Sequence, residues 1–431
     1  MLKCQSHIDE NTFTKVIITT INKQKVLIPF TKNSLLFDMI RFSIVIVFIT
    51  VYIGCLDRSV SATEKEFSSV SARLDMLSER MSSHLEEITP DSTQIPRALE
   101  ADGSLIGTTS RSWTSGFLPG TFWQLYAHSN NPRIKEAAET WTSYVEKEKW
   151  DDHTHDLGFK LYCSFGKGYE LNDSQEYKDI VVQASRTLIE RYNETVGCIR
   201  SWDWNEDIWQ FPVIIDNMMN LDMLFEATRL TGDSIFHDIA YQHALTTLDN
   251  HFRDDYSSYH VVVFDTISGG VIQKVTHQGY GSESSWSRGQ AWGLYGFTMA
   301  YRWTGNKRFL DRARAISQYV FTHRNMPDDL IPYWDFDAPN IPDEPRDVSA
   351  AAVTASGLIE LAQFDSDNAD KYLAWVDRIH QSLSAEHYQS NVPPFLLDHS
   401  TGSVPGEFEV DVPIVYADYY YVESLLRRMA Y

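Results

Sequence analysis

The sequence predicts an all-α fold, an (α/α)6 toroid of six helical hairpins with short strands in the loops. Three observations predict it. The first is a repeated turn: Ala227 to Phe236 and Ala300 to Phe309 both end a helix at Thr-Gly, turn at Asp or Asn, and begin another helix. Glycine suits a left-handed C-terminal cap, and Asp or Asn suits the next N-cap. Fainter copies stand at Leu125 to Arg133, Tyr169 to Tyr177 and Leu361 to Ala369. The second is a contrast between helices. Those after each turn are amphipathic, as in Ile235, Phe236, Ile239, Ala240, His243, Ala244 and Leu248, whereas those before it are apolar nearly all round, as in Met218 to Leu224 and Ala291 to Trp303. Inner helices ringed by outer ones explain that contrast. The third is long insertions before the inner helices, which can gather on one face and build a pocket. Five hairpins and a final helix, Val415 to Met429, complete the ring; a linear solenoid of helix pairs is the competing arrangement. Short strands are expected at His260 to Phe264 and Gly270 to Val275.

Composition narrows the function. Of 431 residues, 43% are hydrophobic, enough to offset ordering entropy, so disorder over most of the chain is excluded. A net charge of −22 excludes nonspecific nucleic-acid binding. The 12 Trp, 22 Tyr and 22 Phe supply rings on which sugar C–H faces stack, or simply a large aromatic core.

The chain has four cysteines, Cys4, Cys55, Cys163 and Cys198, too few for a disulfide framework. Cys55 ends the apolar run that starts at Phe42, which is short for a membrane span and suits a signal-peptide core. Gly54 before it fits a lipoprotein cleavage box with Cys55 lipidated, although Tyr52 is not the aliphatic residue usual there. Residues 1–38 then read as an upstream mis-start before Met39, residues 39–55 as the signal segment, residues 56–90 as a tether and first helix, and residues 91–431 as the catalytic domain. Leu74, Met76, Leu77, Met81 and Leu85 allow that helix one apolar face. The expected location is the periplasm or cell surface, with a lipid anchor.

Four loops concentrate chemistry. In Trp113 to Trp123, Gly116 and Gly120 allow a turn or close approach to a ligand, and Trp113 and Phe117 can flank a sugar ring or start a helix as core aromatics. In His153 to Phe159, the pair His153 and His155 is a weak metal signal, and Asp156 reads better as a functional carboxylate. In Trp202 to Asn220, Asp216 is either a helix N-cap or, among Ile214, Ile215, Met218 and Met219, a desolvated general acid. In His277 to Gly296, Arg288 follows Trp286 and precedes Trp292. It is either a clamp for a substrate carboxylate or the partner of a structural Asp. His260 can add a polar contact. Two carboxylates, a cation and many rings point to hydrolysis of an acidic sugar.

These motifs have a family counterpart. Trp113 with Gly116 to Gly120, His155 to Phe159, Asp216 to Asn220, Ser287 to Trp292 and Asp347 to Ala350 resemble the unsaturated glucuronyl hydrolases, glycoside hydrolase family 88. The resemblance runs from about residue 90 onward. A sister family acting on unsaturated rhamnogalacturonan disaccharides carries Arg-Gly-Asn where this chain has Arg288, Gly289 and Gln290. The resemblance implies hydration of the C4=C5 bond that a polysaccharide lyase leaves on a non-reducing uronate, not attack at the anomeric carbon. It implies Asp216 as general acid and base and Asp156 as the second essential carboxylate. It implies substrate contacts at His260, Gln278, Arg288 and Trp292, with Trp113, Phe117, His155, Trp202 and Trp286 lining the pocket. No metal or organic cofactor is implied; the implied partner is an unsaturated uronyl oligosaccharide made by an upstream lyase. Ala417 replaces a Gly common in relatives, which leaves the preferred leaving sugar open. A polysaccharide lyase on a similar toroid and a non-catalytic sugar-binding lipoprotein are the competing classes.

Overall fold

In a computed structural model, the structure describes residues 70–431. Cys55, the expected signal segment and the expected tether before residue 70 lie outside the described residues. No helix among those described is long and apolar enough to cross a membrane.

Twelve helices form two concentric rings. The inner ring runs α2 (Phe117–Ser129), a π-helix (Gly158–Gly166) leading into α4 (Lys167–Asn172), α6 (Asn217–Thr231), α8 (Ser287–Thr304), α10 (Val348–Phe364) and α12 (Val415–Ala430). Each packs on the next, and α12 packs back on α2, so the ring is closed and the linear solenoid is excluded. Every residue from Ser287 to Ala300 and from Val348 to Ala362 is buried, as expected of helices covered on all sides. The outer helices α3 (Pro132–Ser143), α5 (Gln175–Ile189), α7 (Ser234–Asn250), α9 (Lys307–Thr322) and α11 (Ala369–Leu383) each bury one stripe. In α9 that stripe is Phe309, Leu310, Ala313, Ile316 and Val320.

The repeated turn does the capping its residues suggest. Gly232 ends α6 at φ 77° and Asp233 accepts the Ile235 amide; Gly305 ends α8 at φ 66° and Asn306 accepts the Arg308 amide. In two of the three fainter copies Asn130 (φ 52°) and Asp173 (φ 49°) take the left-handed position instead, whereas the third ends at Asp365 with φ −126°.

The sixth outer helix, α1, comes from residues 70–84. Val70, Leu74, Leu77 and Met81 face the core, whereas Met76 is half exposed, so the apolar face is narrower than its sequence suggests. Arg73 donates to the His380 carbonyl (3.1 Å) and the Tyr421 hydroxyl (3.0 Å), while Asp75 pairs with His128 at 2.7 Å. The helix thereby bridges the last and first hairpins, and it forms one compact unit with the rest of the ring.

Among the described residues, strands occur only in the loops at the site end. β1 (Ile95–Leu99) pairs with β2 (Leu105–Thr108), β3 (Tyr192–Asn193) with β4 (Cys198–Ile199), and β5 (Pro212–Ile214), β6 (Val261–Phe264) and β7 (Val271–Val275) form an antiparallel sheet. The last two are the expected strands, and β5 is one the sequence reading lacks. Cys163 and Cys198 are buried free thiols.

Candidate active site

The β5–β6 pairing builds the centre of the site. Ile214 lies opposite Val261, and the Ile215 amide donates to the His260 carbonyl at 3.1 Å. Asp216, just after β5, therefore meets His260, just before β6; His260 Nε2 is 3.7 Å from Asp216 Oδ2. Asp216 occupies the N-cap position of α6 yet makes no side-chain cap bond. Its carboxyl is buried and Oδ2 has no hydrogen-bond partner among the described residues. That removes the capping explanation for this residue. Burial pushes the Asp216 carboxyl up to about 6, against the pull of His155 and Arg288.

His260 is held in one tautomer. Its Nδ1 accepts the backbone amides of His277 (3.1 Å) and Gln278 (3.2 Å), which leaves the proton on Nε2, facing Asp216. Burial, then the neighbouring His277 and Arg288, push its pKa well down, so the ring is neutral. Trp286 packs on it, with ring centres 4.5 Å apart.

Asp156 is the opposite kind of carboxylate. It precedes the π-helix, a winding common at functional sites. Gly116 permits that winding to pack: a Cβ there would lie 2.2 Å from the Phe159 and Lys160 carbonyls. Gly116 thus serves backbone packing, where a ligand was the other possibility. The Thr154 hydroxyl donates to Asp156 Oδ2 at 2.6 Å, and His155 Nε2 is 3.1 Å from Oδ1. Burial would raise Asp156, but His155 and these hydrogen bonds hold it below the usual carboxylate range. The loop is tied to its neighbour by the His155 amide on the Ser201 carbonyl (3.0 Å).

Asp216 and Asp156 share a cavity of about 270 Å³, whose lining does not include His260. Trp113, His155, Asp156, Trp202, Asp216 and Gln278 all line it, as the sequence reading places them. Gln278 is steered by a bond from its Nε2 to the Gly402 carbonyl (3.0 Å). Three buried polar atoms of lining residues, His155 Nδ1, Trp202 Nε1 and the Tyr416 hydroxyl, have no hydrogen-bond partner among the described residues.

Other expected residues stand behind the wall. Phe117 is fully buried and packs edge-on to Trp113, with ring centres 5.8 Å apart, so it supports that ring instead of flanking a sugar. Trp292 is fully buried against Phe159 and Tyr420, and Trp286 is buried against His260. Arg288 takes the structural role left open by its sequence. Its Nη1 bonds Asp347 Oδ2 (2.7 Å) and the Thr401 carbonyl (2.5 Å), and its Nη2 bonds the Gly402 carbonyl (2.8 Å). Asp347 also caps α10 by accepting the Ser349 and Ala350 amides. His153 is mostly exposed; it lines the same cavity and pairs with Asp203 at 3.3 Å.

The sequence reading lacks several lining residues: Arg97, Thr154, Tyr416, Phe408 and Glu409. Arg97 lies on β1 and grips Glu409 with two nitrogens, one contact being Nη2 to Oε2 at 3.0 Å. Tyr416 had a signal. It opens the sixth inner helix, and inner-helix starts supply Asp216 and Arg288 in other repeats.

A closed double ring of helices that brings one carboxyl raised by burial and one held low into a single aromatic pocket defines a toroidal glycoside hydrolase. Comparisons agree with that class and narrow it. The chain is 50% identical over 323 residues to the unsaturated glucuronyl hydrolase of Formosa agariphila, covering 74% of this chain and 80% of that protein. It is 34% identical to the unsaturated chondroitin disaccharide hydrolase of Streptococcus pneumoniae, covering 73% and 81%. Among solved structures, an unsaturated glucuronyl hydrolase specific for heparin superposes with a TM-score of 0.80 at 41% identity, covering 83% of this chain and 96% of that one. The enzyme of Bacillus sp. GL1 superposes with a TM-score of 0.77 at 27% identity, covering 83% and 96%. No family model matches the chain. The chain belongs to the unsaturated glucuronyl hydrolase family and removes unsaturated uronic acid from oligosaccharides.

Proposed function

We propose that the reaction is hydration of the C4=C5 bond, with Asp216 moving the protons and Asp156 holding charge. The observation that carries this reading is the split between two carboxyls that line one cavity, one pushed up to about 6 and one held below the usual range. Protonated Asp216 gives its proton to C4. Positive charge develops at C5 and the ring oxygen, and ionised Asp156 stabilises it while accepting ring hydroxyls. Water attacks C5 and loses a proton to Asp216, which restores the starting state. The resulting hemiketal opens to a ketone and releases the next sugar as a free alcohol. Neutral His260 faces Asp216 with its Nε2 at 3.7 Å, beyond hydrogen-bond length. The chemistry needs a double bond already in place, so a β-eliminating polysaccharide lyase acts upstream. The names of relatives, chondroitin disaccharide hydrolase and a heparin-specific enzyme, support glycosaminoglycan fragments as the first donors to try. A relative from Streptococcus agalactiae, 26% identical with a TM-score of 0.68, was solved with dGlcA-GalNAc6S, which makes that disaccharide a member of the panel.

The test is loss of ultraviolet absorbance from a panel of lyase-made unsaturated disaccharides, including glycosaminoglycan and ulvan fragments. The conjugated bond absorbs and its hydration product does not. Loss on at least one member, with one new ketone per event, is expected. Release of the sugar with the double bond intact would overturn the hydration mechanism.

We also propose that the enzyme works outside the cytoplasm on a lipid anchor at Cys55, supported by the apolar run from Phe42 and by Gly54. Expressed in a bacterial host, the full chain should partition with membranes and Cys55→Ala should not. Equal partitioning of both would sink the anchor.

A further inference from the structure

The pocket has an apolar mouth for which the proton chemistry has no use. Trp204 and Phe408 both line the cavity, each is 42% exposed, and they come from separate loops. Exposed rings at a pocket rim are expensive to keep in water, and both are fixed in place. Trp204 lies flat on Trp202, with centres 4.7 Å apart and planes 14° apart, and His277 and Trp209 close around it at 4.9 and 5.2 Å. The ring is held by three neighbours and still keeps 42% of its surface exposed. Phe408 stands between Glu407 (φ 54°) and Glu409 (φ 52°), two non-glycine residues in the left-handed region. Its amide and carbonyl are both bonded to Ser403, at 3.2 and 3.1 Å, and the Glu409 carboxylate is anchored on Arg97.

Direction follows from depth. An enzyme that removes a terminal uronyl ring must seat that ring beside Asp216 and Asp156, both deep in the pocket. The sugar across the scissile bond then extends toward the solvent-facing rings. Charge offers it little: among the described residues lining the cavity, the one guanidinium is Arg97, which is committed to Glu409.

We propose that Trp204 and Phe408 are specificity-determining residues that form a stacking platform for the leaving sugar. They recognise the C–H faces of a pyranose more than its hydroxyl pattern. The proposal rests on the catalytic reading above, because that reading sets which end is deep.

The experiment measures binding by calorimetry in an Asp216→Asn background, so that ligand survives. Two ligands are compared: an unsaturated uronyl disaccharide turned over by the wild type, or otherwise a chondroitin-derived one, and the methyl glycoside of the same unsaturated uronate. Trp204→Ala and Phe408→Ala should each weaken the disaccharide about fivefold more than the methyl glycoside, and Trp204→Phe should recover part of the loss. Circular dichroism checks that each variant is folded. An unchanged ratio between the ligands in both variants would overturn the platform and leave the catalytic reading intact. Binding of neither ligand to the Asp216→Asn protein would overturn both.

Discussion

Asp216→Asn lowers kcat by at least about 10²-fold and up to about 10⁴-fold, the range that a positioned general acid contributes, while the fold is retained. Asn cannot give C4 a proton or take one from water, and its shape leaves the Ile215–His260 pairing undisturbed. The same group sets the pH response. The reactive form has Asp216 protonated and Asp156 ionised, so kcat/KM should fall as pH rises through about 6 and, on the acid side, only below the usual carboxylate range. A stability signature accompanies this. The raised carboxyl binds more protons folded than unfolded between about pH 4 and 6, so wild-type stability falls with rising pH across that window. Above it the ionised form costs the folded state roughly 2–3 kcal/mol. Asp216→Asn should therefore melt a few degrees above wild type at pH 8 and level with it near pH 4, read by calorimetric melting. A variant that kept turnover, or was equally stabilised at both pH values, would contradict the assignment.

Arg288→Met should destabilise the protein by about 3–5 kcal/mol and lower activity with it, because it leaves Asp347 as an uncompensated buried charge. Arg288 and Asp347 are both essentially inaccessible to water. The loss spreads beyond the pair. The Thr401 and Gly402 carbonyls would lose their donors, and Gly402 also receives Gln278 in the pocket. Substrate affinity should therefore weaken even at temperatures where the variant is folded. The double variant Arg288→Met with Asp347→Asn removes the stranded charge and should recover part of the melting temperature without recovering the affinity. Denaturant unfolding of both, beside KM measured below the melting transition, separates the two effects. If Arg288→Met were as stable as wild type, the guanidinium would not be the structural anchor its contacts describe.

The ring was legible in the sequence because helix ends are local chemistry. Thr-Gly followed by Asp or Asn fixes a cap within a few residues, whatever packs around it. The carboxylates Asp156 and Asp216 were legible for a related reason: each sits in a short run of unusual composition. Arg288 was only half legible. Its neighbours Trp286 and Trp292 suggested a cleft, but its partner Asp347 and the carbonyls of Thr401 and Gly402 lie on distant segments, and no local pattern reports them. Arg97 and Glu409 were hidden in the same way, being ordinary charged residues until the fold joins them. Phe117 and Trp113 carry similar sequence signals, and only packing decides which ring meets the cavity. The π-helix was invisible because a wider winding is stabilised by partners such as Asn220, whose side chain accepts the Phe159 amide.

The bond from Arg73 to Tyr421 joins residues 348 apart, whereas the hairpins are sealed by neighbours a few residues apart. The molecule is thus a necklace whose beads can form separately but whose clasp comes from its two ends. Each hairpin can assemble at small loop-closure cost, but the clasp must close the longest loop, so it belongs to the final stage of assembly. Until α12 packs back on α2 and α1 seals that joint, the loops that hold the two carboxylates have no closed ring to hold them in register. Activity should therefore return only when the ring closes, in step with the last phase of refolding.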